Sequence, residues 1–267
     1  MASVAADMHV TRVSVPVATR APTGATNAYL VADGGDGLLV DPAARTDDLD
    51  DLVAREDIDH LAVTHTHADH VGAVAAYARE TGATVWCRRG RERAFSDATG
   101  VEPDRTFAEG TTVPVGAGVD VLDTPGHARD HVSFVAGDAL LCGDLAVAEG
   151  SVVVGAPEGD VRAYLVALRR LHARGPERLL PGHGPEITDP RATLARLVAH
   201  RNDRERAVLD AVRAGNATPD AVTDAAYDKD VSAVRDLARA TVVAHIEKLA
   251  AERRVRWDPD AERVEPR

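Results

Sequence analysis

"LAVTHTHADHVGAV", residues 61–74, decides how this chain is read. Its opening apolar run reads as a short buried strand. The residues that follow crowd His65, His67, Asp69 and His70 into six positions. Alternate side chains at a strand end share a face, so His65 and His67 can aim at one point in space. Asp69 and His70 arrive where the chain enters "DHVGAVAAYARETG", whose apolar spacing predicts a single amphipathic helix closed by Gly82. Two pairs of donors placed this way serve two adjacent cation positions rather than one.

Four residues do not complete two such positions, so more ligands must come from downstream. Each candidate stands at a strand end beside Gly or Pro, where the backbone can turn sharply. They are His127 in "DTPGHARDH", Asp144 in "LLCGDLAV" and His183 in "LLPGHGP". Three or four N and O donors per ion, with one carboxylate shared, suit divalent metals about 3.5–4 Å apart. His9, His60, His172, His200 and His245 read as ordinary surface or core histidines. His131, four residues after His127, reads either as a group orienting a ligand or substrate or as a structural hydrogen-bond partner.

The order HxHxDH … H … D … H at 65–70, 127, 144 and 183 resembles the metallo-β-lactamase superfamily of dinuclear hydrolases. That resemblance implies an α/β fold, an αββα sandwich with its metals at one edge. It implies that His65, His67 and His127 hold a first metal, that Asp69, His70 and His183 hold a second, and that Asp144 bridges them. Asp41 in "LLVDPA" would support the site rather than bind metal. The implied cofactors are two divalent ions, zinc first, with manganese or iron as alternatives. They would activate a shared water for attack on an ester-type bond, with Asp69 orienting that water and accepting its proton.

Departures narrow the substrate. Dizinc antibiotic-cleaving members carry Cys where Asp144 stands. Diiron, nitric-oxide-reducing relatives replace the second His of HxH, kept here as His67, and append a flavodoxin. The 39-residue step from 144 to 183 leaves no room for the insertion of mRNA-processing nucleases. The tail, "LVAHRNDRERAVLDAV" and "ATVVAHIEKLAAERRVRW", together with "GDLAVAEGSVVV", resembles the β-lactamase-like protein 2 group. There a small helical, winged-helix-like domain follows the sandwich. That likeness implies cleavage of single-stranded RNA as one activity; by residue type, Arg201, Arg204, Arg206, Arg253, Arg254 and Arg256 could contact phosphates, with Trp257 for stacking. The alternative is that these arginines form ion pairs and that the domain caps the cleft. A thioesterase resembling hydroxyacylglutathione hydrolase shares the same metal pattern and is the main rival. A non-enzymatic, metal-sensing DNA-binding regulator is a third reading. The sequence is silent on oligomeric state.

Outward from the site, "HVTRVSVPV" alternates as a strand, and "NAYLVADGGDGLLVDPA" is a hairpin around a Gly-rich turn. Residues 47–56 and 160–174 read as helices, the second burying Val161, Leu165, Leu168 and Leu171. "ATVWC", "TVPVGAGVDVLDTPG", "HVSFVAG", "ALLCGD" and "ERLLPGHGP" read as strands. From Asp189 and Pro190, a cap followed by a first helical residue, the pattern is helical to about 252, with breaks near Gly215 and 228–230. Two short strands around "DPD" end it. The domains are set at 1–190, catalytic, and 191–267, helical.

The chain of 267 residues is 45% hydrophobic, enough for a sizeable core. No apolar run approaches the roughly 18 residues that cross a membrane. "MASVAADMHVTRV" lacks a basic start before an apolar stretch, so the expectation is a cytoplasmic protein with no membrane partner. Cys87 and Cys142 form no CxxC pair and read as buried hydrophobes. The net charge of −12 and the scarcity of lysine, only Lys229 and Lys248, resemble proteins adapted to brine, while a GC-rich genome alone would also explain the arginine bias. Residues 197–267 carry 13 basic and 14 acidic side chains, so the tail is the part least hostile to a polyanion.

Overall fold

Alternating side chains build a two-sheet sandwich in the first part of the chain, as seen in a computed structural model that describes residues 8–267. The reading of the N-terminal stretch falls partly on residues 1–7, outside the described residues. By internal contacts the chain divides into two units. The first comprises the described residues up to Thr124, with Asp130–Gly150 and Gly175–Pro190. The second comprises Pro125–Arg129, Ser151–Arg174 and Arg191–Arg267.

In the first unit, strands β1 (His9–Pro16), β2 (Ala25–Ala32), β3 (Gly37–Val40), β4 (His60–Ala62), β5 (Thr84–Arg88) and β6 (Arg105–Phe107) pair in that order. The β1–β2–β3 pairings are antiparallel and those from β3 to β6 are parallel. Leu30, Leu39 and Leu61 point to one face, against Leu49, Tyr77 and Phe95 of helices α1 (Asp47–Val53), α3 (Val74–Thr81) and α4 (Glu92–Thr99). Tyr29, Val31, Leu38, Val40 and Ala62 point to the other.

That second face packs on a sheet of β7 (Thr112–Val113), β8 (Val119–Asp123), β9 (Val132–Ala136), β10 (Ala139–Gly143) and β11 (Arg178–Pro181). Its order is β11-β10-β9-β8-β7, with only β10–β11 parallel. Phe107 and Phe134 meet edge to face at 5.7 Å across the two sheets. Each such side chain, removed from water, contributes about 1.5–3 kcal/mol. Cys87 and Cys142 are unbridged and buried, and burial pushes the Cys87 thiol up to about 12.

One expectation fails in this unit. The helix predicted after His67 is two helices, α2 (Ala68–Val71) and α3, separated at Gly72 and Ala73. A Cβ on Gly72 would stand 2.4 Å from the Ala43 carbonyl, and Ala73 N–H donates to Pro42 O at 2.9 Å. The loop after β3 therefore crosses the helix path and takes over its backbone bonding. Gly82 closes α3 in the left-handed conformation, as its sequence position predicts.

The second unit holds α5 (Val161–Arg174), α6 (Pro190–Arg213), α7 (Pro219–Ala226) and α8 (Arg235–Ala251). An antiparallel hairpin of β12 (Val255–Asp258) and β13 (Arg263–Pro266) follows. Val161, Leu165, Leu168 and Leu171 are buried along α5. Thr218 caps α7 ahead of Pro219. Val208, Val212, Val222, Val242, Ile246 and Leu249 pack with Val255 and Val264 of the hairpin into one core. No helix among the described residues is long and apolar enough to cross a membrane.

Candidate metal centre

Strand β4 ends at Ala62, and the loop beyond it delivers His65 and His67 with His65 Nε2 and His67 Nδ1 3.0 Å apart. His65 is buried, and its Nδ1 lies 3.0 Å from the Thr64 hydroxyl. Helix α2 then carries Asp69 and His70. Asp144 follows directly on β10, and His183 lies two residues after β11. The ligand atoms of His65, His70 and Asp144 all lie within 4.8 Å of one another, as do those of Asp69, His70 and His183. Asp144 Oδ1 stands 3.6 Å from His70 Nε2 and 3.5 Å from His183 Nε2, and Asp69 Oδ2 is 3.6 Å from that same His183 nitrogen.

These contacts are too long for hydrogen bonds. His70 Nε2 is buried and has no hydrogen-bond partner among the described residues, a costly state for a polar atom unless something else meets it. Gly182 keeps the space open, since a Cβ there would stand 2.6 Å from Asp144 Oδ1 and 2.8 Å from His70 Cε1. Imidazole nitrogens and carboxylate oxygens aimed at a common centre form a donor set suited to divalent transition metals. The residues present fit such ions.

The supporting contacts fix each ring. Asp41 Oδ2 accepts from His70 Nδ1 at 2.9 Å and from the Thr64 hydroxyl at 2.7 Å, while Oδ1 accepts from Thr64 N–H at 2.6 Å. His183 Nδ1 donates to Ala25 O at 2.8 Å. In each case Nδ1 is committed to an oxygen, so Nε2 is the nitrogen that faces a cation. His131 is fully buried. Its Nε2 accepts from the backbone N–H of Asp144 at 3.0 Å and its Nδ1 meets Thr124 Oγ1 at 2.9 Å, so it holds the Asp144 backbone.

Two supporting residues were not singled out from sequence. Asp130 accepts from both the N–H and the hydroxyl of Thr66, at 3.0 and 2.7 Å, bracing the turn between His65 and His67. Thr19 donates to Asp69 Oδ2. Asp130 had one visible signal, its place in "HARDH"; Thr19 had none.

His127 belongs to the second unit, where its Nδ1 meets Val153 O at 2.7 Å. Of the tail arginines, Arg206 pairs with Asp203, Arg254 with Glu205 at 3.1 Å and Arg256 with Glu265 at 3.2 Å. Arg204 lies 3.5 Å over the Tyr227 ring, and Arg201 is 2% exposed.

Burial opposes charge on His70, but the Asp41 carboxylate, with Asp144 and Asp69 beyond it, outweighs burial and lifts the imidazole to about 9. For His183 too, burial opposes the charge and the Asp144 carboxylate overcomes it, raising the pKa. In the metal-free protein, the stabilisation that protonated His70 gives is therefore full below its unfolded pKa of about 6.5 and is lost as pH rises through about 9. A metal must displace that proton. Apparent Zn2+ affinity should accordingly rise by at least about tenfold per pH unit up to about pH 9, His183 adding to the slope below its own raised pKa, and then level off. Competition against a chromophoric chelator at several pH values measures this; an affinity indifferent to pH over that range would contradict it.

Residues 21–183 match the family model described as the metallo-beta-lactamase superfamily. Among curated relatives, a beta-lactamase-like protein 2 homolog of Drosophila melanogaster is 32% identical over 201 residues, covering 69% of this chain and 67% of that protein. A hydroxyacylglutathione hydrolase of Acidiphilium cryptum is 34% identical over 204 residues, covering 74% and 78%. Among solved structures, a metallo-beta-lactamase family protein of Thermus thermophilus is similar with a TM-score of 0.79 and 25% identity, over 97% of this chain and 98% of that one.

Proposed function

Because the chain belongs to the metallo-beta-lactamase superfamily of hydrolases, we propose that it is a metal-dependent thioesterase working through a pair of divalent cations. The observation that carries the reading is Asp144 Oδ1 lying 3.6 and 3.5 Å from the Nε2 atoms of His70 and His183, with the His70 nitrogen buried and without a hydrogen-bond partner among the described residues. By the family's motif order, His65, His67 and His127 would hold one ion and Asp69, His70 and His183 the other, with Asp144 as a ligand available to both. Zinc suits these ligands, with manganese or iron also compatible. When bound, such a pair of ions acidifies water and stabilises the oxyanion that forms at an attacked carbonyl.

The side chains supply the rest. Asp69, steadied by the Thr19 hydroxyl, orients the attacking water and takes its proton. Asp41 and Ala25 O hold His70 and His183 with Nε2 inward. The thiolate of a thioester is a good leaving group, so no separate nucleophilic Ser or Cys is required. Similarity to a hydroxyacylglutathione hydrolase, whose substrate is by its name an acyl group on a glutathione thiol, supports the thioester reading.

RNA cleavage is the competing reading. It is the weaker one because Arg206, Arg254 and Arg256 already pair with carboxylates, and because the chain's net charge of −12 repels a polyanion. The winged-helix-like reading of the tail stands with it as an expectation. One purified preparation, metal-stripped and then reloaded with Zn2+, should be offered S-acyl glutathione and labelled single-stranded RNA. The expected result is zinc-dependent release of free thiol, with the RNA intact. Cleavage of the RNA alone would replace the thioesterase reading, and thiol release that survives chelation would remove the metal from it.

A further inference from the structure

Arg201 of α6 is almost wholly buried, yet its guanidinium meets no carboxylate among the described residues. It donates through Nη2 to the carbonyl of Val152, and its Cζ lies 5.4 Å from the centre of the Tyr164 ring. A guanidinium does not shed its proton, so burying one without an anion is strongly unfavourable. A placement that unfavourable calls for a role beyond packing.

The surroundings supply one. Three consecutive residues are each held. Ser151 Oγ meets His200 Nε2 at 3.2 Å, Val152 O takes Arg201, and Val153 O takes His127 Nδ1 at 2.7 Å. Two neighbours on α6 thus pin the segment whose next carbonyl fixes the His127 ring. The other side of His127 is reached through Tyr164. Gly126 has φ +144, and a Cβ there would stand 2.4 Å from Tyr164 Cα, so the backbone entering His127 lies directly on the residue that Arg201 covers. Asp160 N–H donates to Gly126 O at 2.8 Å, tying the same turn to the start of α5. Contacts therefore run in a ring: Arg201, Val152, Val153, His127, Gly126, Tyr164 and back to Arg201.

We propose that Arg201 is a positioning residue for the metal ligand His127, clamping through Val152 and Tyr164 the two segments that set its ring. This rests on the reading of His127 as a ligand. With Nδ1 committed to Val153 O, a metal would be met by Nε2, and the direction of that nitrogen follows wherever residues 151–153 are held.

The test uses the full chain with Zn2+ and, for spectroscopy, Co2+. Arg201→Met keeps the bulk but loses the charge and the donors; Arg201→Lys keeps the charge. Arg201→Met should weaken one of two bound ions by about 10–100-fold, leave the other unchanged and alter the Co2+ absorption bands. Arg201→Lys should restore part of that affinity. His127→Ala should weaken the same ion further, and the double variant should be no worse than His127→Ala alone, since both act through one group. If Arg201→Met does not fold, Arg201→Lys against wild type carries the comparison.

Wild-type affinity for both ions, with unchanged Co2+ bands, in a folded Arg201 variant would overturn the proposal while leaving His127 a ligand. Should His127→Ala itself bind both ions as wild type does, the ligand reading fails, and the proposal with it.

Discussion

Asp144→Ala should fold, lose its capacity to hold a metal pair, and turn over substrate more than about a hundredfold more slowly. The wild-type carboxylate is 7% exposed and stands between the inward nitrogens of His70 and His183. Loss of a residue that merely supports a ligand costs about 10–100-fold in metal affinity, so loss of the shared ligand should cost more. The fold should survive, because the backbone N–H of residue 144 still donates to His131 Nε2 and β10 keeps its pairing with β9. Thermal denaturation with and without Zn2+ separates the two effects. Ligand at about a hundred times its Kd stabilises by about 2.7 kcal/mol, and this zinc-dependent rise in Tm should disappear in the variant while the metal-free Tm stays close to wild type. A variant that still gains stability from Zn2+ and retains near-normal turnover would mean that Asp144 is not a ligand.

The parts of this site that were legible in sequence obey local rules. H-x-H at a strand end puts two rings on one face whatever the rest of the chain does. A Gly or Pro beside each of His127, Asp144 and His183 marks a sharp turn at a strand end, and Gly182 and Gly143 do lie in the crowded backbone around Asp144. The alternation of Tyr29, Leu30 and Val31 likewise sorts those residues between the two cores without reference to any partner.

What stayed hidden depends on segments far apart in the chain. The break at Gly72 exists because the loop carrying Ala43 crosses there, and no periodicity within 69–82 encodes that. Asp130 reaches Thr66 across 64 residues and Thr19 reaches Asp69 across 50. Helix α4 and the three-residue β6 were not read from sequence: α4 buries a single large apolar residue, Phe95, and β6 is too short for alternation to register. Arg201 is the sharpest case. In sequence it stands among the arginines of a nearly neutral tail and reads as a phosphate contact; in the fold it is buried against a tyrosine and a carbonyl.

Asp41→Asn should leave the chain folded and yet cut metal affinity by about 10–100-fold, because it changes which nitrogen of His70 carries the proton. The Asp41 carboxylate takes three donors: Thr64 N–H on Oδ1, and the Thr64 hydroxyl and His70 Nδ1 on Oδ2. An asparagine must present its oxygen to Thr64 N–H, since turning the amide nitrogen there would set two donors 2.6 Å apart. The amide nitrogen then faces His70 Nδ1. A ring nitrogen opposite a donor must give up its own proton, so the proton moves to Nε2, the atom that faces Asp144 and would meet a cation. The ring stays in place in the wrong tautomer, as when a catalytic-triad aspartate is replaced by asparagine.

Backbone strain does not confound the comparison. Residue 41 sits at φ +53, and asparagine, like aspartate, tolerates the left-handed region better than most residues. Asp41→Ala is the harsher companion. It leaves a buried N–H, a hydroxyl and an imidazole without their acceptor and should cost on the order of 3–5 kcal/mol, as breaking one side of a buried pair does. The difference between the two variants isolates the tautomer from the packing. With the charge gone, His70 also loses the group that most raises its pKa, so the pH dependence of Zn2+ binding should flatten in Asp41→Asn. Metal titrations of both variants at pH 7 and pH 9 decide the matter: an Asp41→Asn variant that binds Zn2+ as tightly as wild type at both would show that the Asp41 carboxylate does not set the state of His70.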